Sequence, residues 1–139
     1  MRIRVALLAT VLLASCGSIS FENQDAVDGT YTLRSVQGQP LPLALDDRSV
    51  PFTVTSGVLS LASNGDWSEV LTGTITENGQ VVQKQLTEGG RWTLRNPYVE
   101  IRRADGPVAY SGSFSIIIEP KLDLARPAFS STRHYVYAR

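Results

Sequence analysis

Cysteine is almost missing from this sequence: of 139 residues one is Cys, at position 16. A single thiol cannot close an intramolecular disulfide, so the fold must be held by packing and backbone hydrogen bonds. Histidine is equally scarce, with His134 alone, which leaves no His/Cys cluster for a metal ion, and EF-hand spacing is absent too. No Gly-x-Ser-x-Gly elbow accompanies that histidine, and no Gly-rich strand-to-helix loop offers a cradle for nucleotide phosphates. The chain therefore does not read as an enzyme, and no cofactor is expected. Net charge is missing as well, 13 basic side chains balancing 13 acidic ones. A neutral chain has no electrostatic footprint for nucleic acid and no polybasic patch for lipid headgroups. Long apolar runs are absent, none reaching the roughly 20 residues that span a bilayer as a helix. No stretch supports a long amphipathic helix either.

What is present begins at the N-terminus. Arg2 and Arg4 precede an apolar run over residues 5–13, then come small Ala14 and Ser15 and the lone Cys16. Basic, apolar and small segments in that order are the parts of a secretory signal. Leu13-Ala14-Ser15-Cys16 resembles a bacterial lipobox, whose pattern is an aliphatic residue, two small residues and the modified cysteine. The resemblance implies cleavage between Ser15 and Cys16, a diacylglyceryl thioether on Cys16, and in many bacteria acylation of the freed amine. Several buried acyl chains, each CH₂ contributing about 0.8 kcal/mol, would hold a domain on a membrane stably. Gly17, in place of the aspartate linked to inner-membrane retention in some bacteria, points to the outer membrane, facing the periplasm, where two membranes exist.

Cleavage would leave 124 residues, enough for one domain with a real core. It would also leave 11 basic against 13 acidic side chains, a net charge of about −2. Three regions are expected: a signal peptide over 1–15, a lipidated cysteine with polar tether over 16–28, and a folded domain over 29–139. The twelve tether residues after Cys16 reach roughly 40 Å when extended.

From Gly29 onward apolar and polar residues alternate. Tyr31 and Leu33 share one face; so do Leu59 and Leu61; Trp67, Leu71 and Ile75; Trp92 and Leu94; Val99 and Ile101; Tyr110, Phe114, Ile116 and Ile118; Leu122 and Leu124. Residues 134–138 make a closing strand. Period two with one apolar face marks antiparallel sheet. Asn64-Gly65, Asn78-Gly79, Gly89-Gly90, Asn96-Pro97 and Asp105-Gly106-Pro107 fall between runs and read as turns. Residues 38–50, with Pro40 and Pro42, break the rhythm and read as a longer loop across one end. The expectation is all-β: an antiparallel up-and-down meander of eight or nine strands closed into a barrel, which removes exposed edges. An open two-sheet sandwich is the alternative.

The run from Gly29 to Pro42, followed by Ser56-Gly57-Val58-Leu59-Ser60-Leu61, an Asn-Gly turn, an aromatic strand, a Gly-x-Trp strand and an aromatic C-terminal strand, resembles small bacterial lipocalin-like lipoproteins. In the wider calycin group a Gly-x-Trp on the first strand closes the barrel base beneath an arginine from the last strand. By this resemblance Gly29 and Tyr31 would take the first role, with Tyr for Trp, and Arg139 or Arg133 the second. The resemblance implies binding or carriage of a small hydrophobic ligand. A filled barrel acting as a structural or protein-interaction module of the envelope is the alternative, since the fold serves both.

Glu69 stands out. It shares the parity of Trp67 and Leu71, so an uninterrupted strand points a carboxylate inward, which is costly unless it is paired or solvated. It would anchor the polar head of a ligand, sit at a wet mouth, or be turned out by a bulge. Trp67, Leu71, Trp92, Tyr110 and Phe114 complete the candidate ligand-binding set, with core packing as the competing role. Asp46-Asp47 and Arg102-Arg103 read as solvated surface, His134 as structural, and the protein as a monomer.

Overall fold

A computed structural model describes residues 24–45, 51–95, 97–128 and 131–139. Ser15, Cys16 and the Asp46-Asp47 pair lie outside the described residues. After a short 3-10 helix, Gln24–Ala26, the chain forms ten strands: β1 Gly29–Val36, β2 Gln39–Pro40, β3 Leu43–Leu45, β4 Phe52–Leu61, β5 Asp66–Glu77, β6 Gln80–Arg95, β7 Tyr98–Arg103, β8 Val108–Ser115, β9 Lys121–Pro127 and β10 Thr132–Ala138. Each strand from β4 to β10 pairs antiparallel with the next, β10 pairs with β1, and β1 pairs with β4. Eight strands therefore close an antiparallel barrel in meander order. β2 and β3 are short additions along the upper halves of β1 and β4.

The loop expected over 38–50 is thus partly strand: Leu43, Ala44 and Leu45 pair with Val54, Thr53 and Phe52. Leu45 is buried against the core, which explains an apolar segment between prolines. Closure bends the strands. The register slips between Leu33 and Ser35 on β1 and between Val54 and Ser56 on β4, and such bulges increase local twist.

The barrel has two ends. At the lower end lie the start of β1, the end of β10 and the β4–β5, β6–β7 and β8–β9 connections; the upper end holds the β5–β6, β7–β8 and β9–β10 connections. Asn78 and Gly79 both take positive φ, 52° and 78°, between Glu77 and Gln80. That is the turn geometry that Asn-Gly favours in two-residue hairpins.

Gly89-Gly90 is not a turn. Both residues lie inside β6, where they pair with Ser68 and Trp67. A Cβ on Gly90 would stand 2.1 Å from the Arg102 carbonyl oxygen. The same carbonyl accepts the Trp67 indole N–H at 2.6 Å. The missing side chain lets β7 approach and leaves Trp67 its place opposite. Gly112 serves alike between β8 and β9, a Cβ there falling 1.9 Å from the Asp123 carbonyl oxygen.

The strand expected to run on through Ile118 ends at Ser115, leaving residues 116–118 in the β8–β9 connection. At the base, the Arg139 guanidinium lies 4.8 Å from the Tyr31 ring centroid and donates to the Tyr31 hydroxyl at 3.0 Å and the Val27 carbonyl at 3.2 Å. Tyr31 donates to that carbonyl too, at 2.5 Å. Gly29 makes room, because a Cβ there would sit 2.6 Å from the guanidinium.

Gly90→Ala and Gly112→Ala should each destabilise the barrel by about 1–3 kcal/mol through overpacking against backbone. Urea unfolding checks this, and midpoints equal to wild type would contradict the close approach.

Candidate functional site

Alternation sends Trp67, Glu69 and Leu71 of β5 into the barrel, and all three are buried. Trp92 of β6 and Tyr110 and Phe114 of β8 join them inside. The six residues chosen from sequence thus share one interior. Tyr110 meets Trp67 edge to face, with ring centroids 6.3 Å apart, and meets Tyr135 in the same way at 5.5 Å. Trp92 lies lower, its indole donating to the Ala62 carbonyl at 2.9 Å. Phe114 pairs with Leu122 near the β8–β9 connection.

Glu69 is neither at a wet mouth nor turned outward. No register slip interrupts β5 against β6, and the residue is 1 % exposed. Its Oε1 accepts from the Tyr110 hydroxyl at 2.7 Å and from the Tyr137 hydroxyl. Its cross-strand neighbour is Glu88, and two carboxylates directly opposite repel. Arg126 reaches across from β9 to both: Nη2 donates to Glu88 Oε1 at 2.7 Å, and Nη1 lies 3.6 Å from Glu69 Oε2. Nη1 also donates to the Tyr110 hydroxyl at 2.8 Å. Arg103 follows, its Nε 3.6 Å from Glu88 Oε2. A chain of charge runs from the deeply buried Glu69 through Arg126 to Glu88 and Arg103, which are more accessible.

Burial raises the Glu69 carboxyl above its ordinary value, against the lowering effect of hydrogen bonds from Tyr137 and Tyr110 and of the Arg126 charge. Burial likewise lifts both tyrosine hydroxyls well above theirs, so they stay protonated and donate.

Sequence reasoning missed Arg126, Glu88 and Tyr137. Arg126 carried a signal, since it falls two residues after Leu124 and four after Leu122 on one face of β9. Glu88 was hidden because Gly89-Gly90 broke the reading of its strand. Tyr137 lay in the closing strand over 134–138, where nothing in the local pattern set it apart.

This arrangement holds a scaffold in place more readily than it holds a guest. Leu71, Tyr110 and Tyr137 are 0 % exposed. A side chain with no accessible surface borders neither solvent nor any internal void that admits a water molecule. Both tyrosine hydroxyls donate to Glu69, and that of Tyr110 also accepts from Arg126. His134 lies outside, its Nδ1 3.3 Å from Asp123 Oδ1, beside a shallow outer groove that also involves Ser111 and Ser113. Ala125 pairs with both His134 and Ser111, so two strand spacings, about 9–10 Å, separate histidine and Ser111 backbones. Among the described residues no group of three or more His, Cys, Asp or Glu is placed to hold a metal ion. Compared with known protein families and with curated proteins, the chain has no match.

The raised Glu69 value fixes a pH response. Between the ordinary 4.5 and its native value the folded chain holds a proton that the unfolded chain has released. Stability should therefore fall as pH rises through that window. Glu69→Gln should flatten this slope in melting temperature against pH; a wild type that gains on the variant as pH rises would show that Arg126 and the tyrosines outweigh burial.

Proposed function

We propose that this chain is a lipid-anchored protein of the bacterial cell envelope whose barrel is a filled, lipocalin-like scaffold that works through its ends and outer face. The observation carrying this reading is the state of Glu69. Glu69, the one fully buried carboxylate among the described residues, is engaged by Tyr110, Tyr137 and Arg126. A cavity able to take a drug-sized ligand needs several hundred Å³ of reachable space, and Leu71, Tyr110 and Tyr137, with no accessible surface, leave none beside Glu69. The anchor rests on the lipobox residues Leu13, Ala14, Ser15 and Cys16 and on the apolar run before them.

A second reading keeps a small amphiphilic ligand, taken at the upper mouth. It is favoured by Arg103 and Glu88, whose side chains are 35 % and 22 % exposed above the buried network. A ligand with an anionic head would compete with Glu88 for the two arginines, its tail resting on half-buried Leu86.

Native mass spectrometry of the protein purified from its own envelope separates these. The filled scaffold predicts the mass of a chain starting at Cys16 with its acyl groups and no further small molecule. A stoichiometric co-purifying amphiphile would replace it with the carrier. Cys16→Ser should leave an unprocessed precursor, and normal processing of that variant would refute the anchor.

A further inference from the structure

Three consecutive isoleucines occupy the β8–β9 connection. Ile117 and Ile118 are 92 % and 96 % exposed, and Ile116 is exposed beside them. Connections between strands normally carry Gly, Asn, Asp or Ser, and a run of three exposed apolar residues is a fault in a soluble surface unless it meets something. Period two would bury Ile116 and Ile118 had β8 continued. The strand stops at Ser115 instead, and the apolar side chains are turned to the outside.

The connection's neighbours show which way it faces. The Arg139 backbone N–H donates to the Pro120 carbonyl at 3.1 Å, and the Arg139 side chain donates to the Val27 carbonyl at 3.2 Å. One residue thus joins the isoleucine connection to the start of the folded chain. Upstream, only eight residue steps separate Gln24 from Cys16, a reach of about 26 Å fully extended. An acylated Cys16 would keep this end of the barrel close to the bilayer and the upper end away from it. Tyr98, at the start of β7, is exposed at the same lower end, and tyrosine suits the boundary between headgroups and acyl chains.

We propose that residues 116–118 insert into the membrane that holds the lipid anchor, so that the barrel stands on the bilayer on its lower end, with a fixed orientation. The proposal rests on the reading of Cys16 as the lipid-bearing residue. The contact is apolar, in keeping with a processed chain that carries no net positive charge to draw it to anionic headgroups, and reaches roughly 5–10 Å into the boundary of the acyl region.

The test uses the full-length protein, purified from membranes and reconstituted into vesicles of phosphatidylethanolamine and phosphatidylglycerol with brominated acyl chains. A reporter is placed by Ile117→Trp or, at the upper end, by Val81→Trp, where Val81 is 73 % exposed. Neither change touches the core, and the buried Trp67 and Trp92 give the common baseline. The expected result is blue-shifted emission at Ile117→Trp, quenched roughly twofold by the brominated lipid, with Val81→Trp unquenched. Equal quenching at both positions, or none at Ile117→Trp in vesicle-bound protein, overturns the proposal. A blue shift that appears without vesicles and grows with protein concentration also overturns it, in favour of a second copy. Acylation of Cys16 is read separately from the mass of the N-terminal peptide. An acylated chain with an unquenched reporter defeats the insertion alone; a quenched reporter on an unacylated chain defeats the anchor alone.

Discussion

Gly29, Thr30, Tyr31 and Thr32 pair with Leu61, Ser60, Leu59 and Val58, and through these pairs β4 and β1 meet to close eight strands into a ring. Without them the lower halves of β1 and β4 would be open edges, with unpaired N–H and C=O groups ready to recruit other chains. β2 and β3 cover the upper halves of the same two strands. Closure matters more here than in a protein with crosslinks, because no disulfide is available. The Arg139 guanidinium over Tyr31, held also by the Val27 carbonyl, fastens the end of the last strand to the first at the lower end.

The interior follows from that closure. A ring of this size brings side chains from β5, β6, β8, β9 and β10 within reach of one another, so a carboxylate on β5 can be satisfied by hydroxyls from β8 and β10. Arg126 balances the two glutamates that antiparallel register sets side by side. Removing one member of such a buried network leaves its partners uncompensated, which costs more than the network contributes when whole. The polar cluster therefore works as a specification of register. A one-residue slip of β5 would carry Glu69 outward and leave Arg126 facing Glu88 alone.

Much of this was legible in the residues themselves. Alternation in Tyr31 and Leu33, in Trp67 and Leu71 and in Leu122 and Leu124 identified inward faces, because a half-buried strand has no other period. Asn78-Gly79 identified its hairpin, because few residues tolerate two successive positive φ values. Gly89-Gly90 misled because glycine permits a turn and a close backbone approach equally well, and only the neighbouring strand decides between them. Residues 43–45 were too short a run to show period two. The isoleucines misled in the opposite direction: periodicity registers apolarity, and it cannot distinguish a side chain facing a core from one displayed at a strand's end. The polar partners of Glu69 come from strands far apart in sequence, so no local pattern could announce them.

Arg139 also has a practical consequence for handling the molecule. Its contacts with Val27 and Pro120 place the first and last described parts of the domain side by side at one end, while the Asn78-Gly79 hairpin closes the other. An affinity tag or fluorescent fusion added after Arg139 would emerge beside Val27 and compete with the guanidinium for its seat over Tyr31. The Asn78-Gly79 turn offers open space instead, since nothing lies within 4 Å of where a Gly79 side chain would point. The same geometry suits circular permutation of the described domain, with a linker from Arg139 to Gln24 and new termini cut into that hairpin.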